Sequence, residues 1–298
     1  MILTKIQDDE IVNGYLGRLK TINLMKSIEE VKENLKLEFG KSDGSIVSLL
    51  ANASNITLPQ LITSNTILPF RHAAVQEKAY VRNEYTRLDI TDQSCLRVLR
   101  DGAVLCEKCI EEDHKKYGYS YWKRFHQLSG VDWCHIHNTP LKISNKINAY
   151  EAQPERTIAR ANYICSPEEA APLKTDVIHR YIQLTSIFLS IKNPVKARSI
   201  VLPIGAIAKS KLNIRLSRTL KSRGTTLCDV AKATCSYSWL KRLFPRIDFL
   251  DQYEWFGPID NCVMNIATAE SFALALAIIF ESTGEAISFM KNDLKVDL

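Results

Sequence analysis

Cys106-Glu107-Lys108-Cys109 and Cys134-His135-Ile136-His137 decide the reading of this chain. Each stretch places two metal-binding side chains three positions apart, close enough to face one ion from a single turn. Twenty-four residues separate Cys109 from Cys134. Thiolate and imidazole are the donors that tetrahedral Zn2+ prefers. Paired short spacings are a far stronger signal than one isolated Cys-x-x-Cys. The competing reading is a set of ordinary buried or redox cysteines, and the Cys-x-x-His half argues against it. We therefore expect one zinc site formed by Cys106, Cys109, Cys134 and His137. With four protein ligands no position is left for a catalytic water, so the expected role is structural.

The residues between the two pairs extend the signal. They include Tyr117-Gly118-Tyr119-Ser120-Tyr121-Trp122-Lys123-Arg124-Phe125-His126-Gln127-Leu128, then Val131-Asp132-Trp133. A turn at Gly118 is expected, followed by a short helix on which Tyr121, Trp122 and Phe125 share a face. Leu141 follows in His137-Asn138-Thr139-Pro140-Leu141. Taken together, residues 104–141 resemble the signature of the TniQ/TnsD family of transposition target selectors. That signature is Cys-x-x-Cys, a Tyr-Gly, a Trp-x-x-x-x-Gln/Leu stretch, Cys-x-x-His and a leucine. Asp9-Glu10-Ile11-Val12-Asn13-Gly14-Tyr15-Leu16-Gly17-Arg18-Leu19 resembles the family's opening segment more loosely, as does Leu68-Pro69-Phe70-Arg71. Longer members suggest a second metal knuckle after the first. Here Cys165 stands alone in residues 146–175, which reads better as a buried thiol.

Composition bounds the rest. The chain has 298 residues, of which 46% are hydrophobic, enough to bury a large core in two or three domains. Eight cysteines without a readable secretion signal point to a reducing compartment, and the family resemblance implies a prokaryotic cytoplasm. The longest apolar run, Ser271 to Phe280, is half the roughly twenty residues that a membrane span needs, so no membrane association is expected. The formal net charge is +6, and its distribution is uneven. Residues 196–246 hold twelve Lys and Arg against Asp229 alone, a local charge of +11 that leaves −5 elsewhere. Such localisation fits a phosphate-facing surface. A solvated charged face is the competing reading, and an anionic partner other than DNA, such as guide RNA, would also satisfy it.

The fold class expected is mainly α, with helix-turn-helix elements on either side of a small central zinc-ribbon module. Residues 1–103 form an N-terminal helical domain. There Ile11, Tyr15, Leu16 and Leu19 share one face, as do Ile28, Val31 and Leu35. Two short helices follow around Ala53-Ser54-Asn55, the second capped by Thr57, with the length of a helix-turn-helix. Residues 104–175 hold the zinc module and a connecting segment from 146. Residues 176–298 form a C-terminal helical domain, with an amphipathic helix from His179 to Ile191. Within it, Thr225 to Ala233 and Ser238 to Phe244 read as two helices around Thr234-Cys235-Ser236, the second basic and stopped by Pro245. Ser236, Tyr237, Ser238, Lys241 and Arg242 are of the type that meets bases and phosphates, with Trp239, Leu240 and Leu243 facing the core. Lys209, Lys211, Arg215, Arg218, Lys221, Arg223 and Arg246 complete the expected nucleic-acid surface. The last helix, Thr268 to Phe280, is nearly all apolar and should be central to the domain.

Catalytic motifs are not legible. Gly40-Lys41-Ser42 resembles the end of a phosphate-binding loop, but Leu35 occupies the position of its first glycine. The family resemblance implies a non-enzymatic adaptor that selects a transposition target and passes it to an AAA+ ATPase regulator, which recruits the transposase. One mode rides as a homodimer on an RNA-guided CRISPR Cascade complex, and the short chain leans this way. The other binds a fixed DNA attachment site directly, and the basic segment leans that way. A zinc-dependent enzyme is a third and weaker alternative.

Overall fold

The computed structural model describes residues 1–40, 44–75, 88–146, 148–165, 176–214, 225–245, 247, 259–260 and 267–298. It is mainly helical with one small sheet, as the sequence leads one to expect. Two compact units emerge, Met1–Leu68 with Asn83–Pro167, and Pro69–Arg82 with Glu168–Leu298. The N-terminal helices and the cysteine-bearing module thus share one unit, although the sequence-based boundaries fall at 103 and 175.

In the first unit, α1 (Val12–Ile22), α2 (Ile28–Phe39), α3 (Ile46–Ala53) and α4 (Leu58–Asn65) enclose one core. Tyr15, Leu19, Val31, Leu35, Val47, Leu50 and Leu61 are fully buried there. The faces read from periodicity are the faces that pack. Polar caps set the helix starts: Ser27, Ser45 and Thr57 each accept from a backbone N–H three residues on. Thr57 and Gln60 form a full capping box, which makes α3 and α4 two short helices around a turn. Helix α6 (Leu88–Cys95) also belongs to this unit, while the α5 turn (Leu68–Arg71) falls mostly in the other. Asp92 of α6 accepts from Ile46 N at 2.8 Å and Val47 N at 3.0 Å, so a carboxylate satisfies the exposed amides that start α3.

The module itself is a three-stranded antiparallel sheet of β1 (Ala103–Leu105), β2 (Lys142–Ser144) and β3 (Asn162–Tyr163), in the order β1-β2-β3. Val104 pairs with Ile143, and Lys142 with Tyr163. Helix α7 (Glu107–Tyr117) leaves β1 directly and ends at Gly118, whose φ of 78° is the left-handed cap that glycine adopts without strain. The expected helix over Tyr121, Trp122 and Phe125 does not form. Only a 3-10 turn at Phe125–Gln127 is present. The backbone groups of this stretch are engaged elsewhere: Ile11 N donates to Trp122 O at 2.9 Å, and Arg124 N to Asp9 O at 2.7 Å. The expected connector from 146 is also structural, since residues 149–165 supply β3, the short α8 (Pro154–Thr157) and two 3-10 turns.

The second unit is built on α13 (Ala269–Ile279), in which every residue except Glu270 is buried. Against it pack α9 (Asp176–Phe188), α10 (Ala197–Leu212) and α11 (Leu227–Thr234). Thr226 and Asp229 cap α11, and two residues later α12 (Tyr237–Leu243) starts from a Ser236 cap. Trp239 and Leu240 are fully buried and Leu243 nearly so, as expected of the core-facing side. The α13 segment is not the last helix: α14 (Thr283–Asn292) follows a Ser282 cap. The chain near Val75 pairs with this unit through His72 O, which accepts from Val195 N at 2.8 Å. Among the described residues no single helix is long and apolar enough to cross a membrane.

Candidate metal centre

Cys106 follows β1 and occupies the cap position of α7, and Cys109 lies in that helix's first turn. Strand-to-helix geometry therefore turns both sulfurs to the same side. The second pair sits in a tight loop. Asn138 N donates to Cys134 O at 2.9 Å, and Cys134 N donates to Thr139 O at 2.9 Å. Asn138 takes a left-handed φ of 51°, a conformation that asparagine tolerates better than most residues. This reversal brings His137 back over Cys134.

The four donor atoms lie within 4.8 Å of one another and could hold one metal ion. Cys109 Sγ is 3.7 Å from Cys134 Sγ. His137 Nδ1 is 3.5 Å from Cys106 Sγ, 3.3 Å from Cys109 Sγ and 3.5 Å from Cys134 Sγ. Thiolates at 2.3 Å and an imidazole at 2.0–2.1 Å from a tetrahedral ion are separated by about 3.8 Å (S to S) and about 3.6 Å (S to N). The observed edges match that tetrahedron. Hydrogen bonds from Cys109 and Cys134 pull the Cys106 thiol down, while the bond to Cys106 pushes Cys109 up. Three sulfurs this close cannot all be thiolates without a cation among them. Cys106, Cys109 and Cys134 are buried, so no bulk water relieves the charge.

A second layer ties the centre to the N-terminal helices. The Gln127 amide accepts from Val104 N at 2.9 Å and donates to Val104 O at 2.8 Å, continuing the β1 edge as a further strand would. Trp122 is 1% exposed, and its Nε1 donates to Ala152 O at 2.8 Å. Phe125 packs edge-on against His135, with ring centroids 4.1 Å apart. His126 is fully enclosed, and burial lowers its pKa to about 3, which keeps it neutral.

Helix α1 is seated on this layer by two glycines. A Cβ at Gly14 would lie 2.9 Å from the Trp122 side chain, and one at Gly17 would lie 1.8 Å from Tyr150 O. Beside them Arg18 grips the buried Glu10 in a two-pronged ion pair, Nε to Oε1 at 2.9 Å and Nη2 to Oε2 at 2.6 Å. Its guanidinium lies 5.1 Å from the Tyr15 ring centroid and 4.9 Å from that of Tyr119. Burial raises the Glu10 carboxyl above the usual range, opposed by Arg18. Arg124 reaches Asp9 at 3.0 Å and also the carbonyls of Thr63 and Thr66. These residues were not assigned a role from sequence. The available signal was the Gly-x-x-Gly spacing of Gly14 and Gly17, which marks a helix face approached closely by other backbone.

The expected nucleic-acid residues divide. Lys209 and Lys211 are exposed near the end of α10, and Lys211 pairs with Glu285 at 3.4 Å. Ser236, Tyr237, Ser238, Lys241 and Arg242 are gathered on α12 and its cap. Tyr237 is 52% exposed, and Lys241 Nζ lies 5.9 Å from its ring centroid. Arg215, Arg218, Lys221, Arg223 and Arg246 lie outside the described residues, as do Lys41 and Ser42 of the incomplete phosphate loop. Cys165 is buried, and the one Cys/His cluster found among the described residues is the one above.

No curated protein matches the chain. The TniQ family model matches residues 1–141, a span that begins before α1 and closes on Leu141, just beyond the last cysteine-histidine pair. The match therefore covers α1 to α7, Gly14, Gly17 and all four candidate ligands as one block. Residues 1–141, just under half of the chain, are thus similar to the TniQ family, which is associated with transposition.

Proposed function

We propose that the chain is a target-selection adaptor for DNA transposition, acting in the prokaryotic cytoplasm without catalysis of its own. In this reading it links an RNA-guided CRISPR Cascade complex to the transposon's AAA+ ATPase regulator and transposase, as a homodimer. The observation that carries the reading is the TniQ match over residues 1–141, which takes in the complete Cys3His cluster. Zinc is the ion we assign to that cluster, held by Cys106, Cys109, Cys134 and His137. It supplies a four-way cross-link between α7 and the 134–139 loop, and a closed ligand set suits structure rather than chemistry. The test is co-purification of the tagged chain with a guide-loaded Cascade complex and with the ATPase, each expressed separately. Retention of both supports the adaptor. Retention of neither, under conditions where the chain is folded and metal-loaded, overturns it.

A second reading, direct recognition of a fixed attachment site, is favoured by the +11 charge of residues 196–246 and by the exposed Lys241 and Tyr237 on α12. Gel shifts on duplex DNA with and without the guide complex separate the two. In either mode the basic segment is assigned to the nucleic acid. Reversing Lys241 and Arg242 to Glu should weaken binding and flatten its salt dependence. On duplex DNA the slope of log K against log salt should fall by about 0.9 for each phosphate that is no longer neutralised. Unchanged binding across the same salt range assigns this face to solvent.

A further inference from the structure

We propose that Glu112 is a positioning residue for the metal centre, fixing His137 so that it binds through Nδ1. The inference rests on the zinc reading above. Cys109 and Glu112 are three residues apart on α7, so they share one face of that helix. His137 lies against this face with its two ring nitrogens facing opposite tasks. Nδ1 meets all three sulfurs at 3.3–3.5 Å, and Nε2 lies 2.9 Å from Glu112 Oε1. One ring cannot present the same nitrogen to both. Coordination through Nδ1 leaves the proton on Nε2, which lies 2.9 Å from the carboxylate. With the ring turned over about Cβ–Cγ, Cδ2 would replace Nδ1 at the sulfurs and Cε1 would replace Nε2 at the carboxylate.

The carboxylate does two things in this arrangement. It selects the tautomer with Nδ1 unprotonated, the only neutral form that can ligate from this position. It also draws on the Nε2 proton and makes Nδ1 a better donor. The Glu112 side chain is 64% exposed, whereas that of His137 is 10% exposed. The role is therefore one of orientation at the rim of the site, and Glu112 is not itself a ligand. The sequence offers little hint of it, because Glu111 and Glu112 read as the solvated face of an amphipathic helix.

Two measurements on the full-length protein test this. The first is a long-range proton–nitrogen NMR spectrum of histidine-labelled, zinc-loaded protein. It should show His137 coordinated at Nδ1 and protonated at Nε2. Coordination at Nε2 overturns the proposal. The second is zinc affinity measured by competition with a chromophoric chelator. Glu112→Ala should bind zinc about 10–100-fold more weakly than the parent. Glu112→Gln, which keeps a carbonyl oxygen for the Nε2 proton, should recover much of the difference. Glu112→Ala affinity within twofold of the parent overturns the positioning role while leaving the zinc reading intact. A parent protein that binds no zinc overturns the zinc reading itself, and the proposal falls with it.

Discussion

Replacing Gly17 by alanine should destabilise the N-terminal unit, even though alanine is the better helix former. The new Cβ falls 1.8 Å from Tyr150 O, 2.9 Å from Tyr150 C and 3.0 Å from Glu151 Cα. Carbon and oxygen approach no closer than about 3.3 Å in ordinary contacts, so α1 or the 149–151 turn must move by about 1.5 Å. The obstacle is main chain, and no rotamer change relieves it. Retreat of the turn also pulls Ala152 O from Trp122 Nε1, a bond of 2.8 Å worth about 1 kcal/mol net. Overpacking of this kind costs about 1–3 kcal/mol and occasionally more. Against it stands about 1 kcal/mol gained by alanine over glycine inside a helix. The steric term wins, and we expect a net loss of about 1–3 kcal/mol. Gly284 supplies the opposite case, because it lies in the first turn of α14 and a Cβ there meets nothing closer than Ser282 Oγ at 3.9 Å. Gly284→Ala should be neutral or stabilising by up to about 1 kcal/mol. Urea denaturation followed by circular dichroism, with hydrogen exchange on α1 peptides to localise the change, measures both. A Gly17→Ala protein with a midpoint and α1 protection equal to or above the parent's would refute the close seating of α1.

Three further outcomes are expected. Cys134→Ser should lose bound metal and unfold the β1–α7–β2 module, since metal-binding energy in small zinc domains is folding energy of about 10 kcal/mol or more; elemental analysis showing well under one zinc in the parent contradicts this. Trp122→Ala should lower stability by about 3–5 kcal/mol, because the side chain is 1% exposed and seated on Gly14; an unchanged melting temperature with loss of partner binding would instead place it at a recognition surface. His72 is buried, and burial beside Arg71 lowers its pKa from 6.5 to about 4. The unfolded chain therefore binds the extra proton first as pH falls. Stability from this group is intact above pH 6.5 and declines toward pH 4, by about 3 kcal/mol in total. The difference between parent and His72→Gln in denaturation midpoints across that window isolates the effect, and parallel curves exclude it.

The sequence by itself picked out the four candidate ligands that the structure gathers, because two short spacings constrain a backbone locally whatever surrounds it. Several helix starts were legible too. Thr57, Thr226, Ser236 and Thr268 cap the helices they precede, and a cap acts within one turn. The buried faces of α1, α2 and α12 followed from a periodicity contained in each helix. Only the tertiary structure decided the stretch from Tyr121 to Phe125. There helical spacing lost to hydrogen bonds with Asp9 and Ile11, more than a hundred residues earlier. Only the tertiary structure joined Gly17 to Tyr150, Glu10 to Arg18 within that seat, and Gln127 to the β1 edge. It also made 149–165 part of the module, because strands and turns of two or three residues carry no readable period. Local rules fix what a segment can form alone. Which polar groups become buried, and which partner then satisfies them, is set by chain segments far apart in sequence. That pairing exists only once the core has closed.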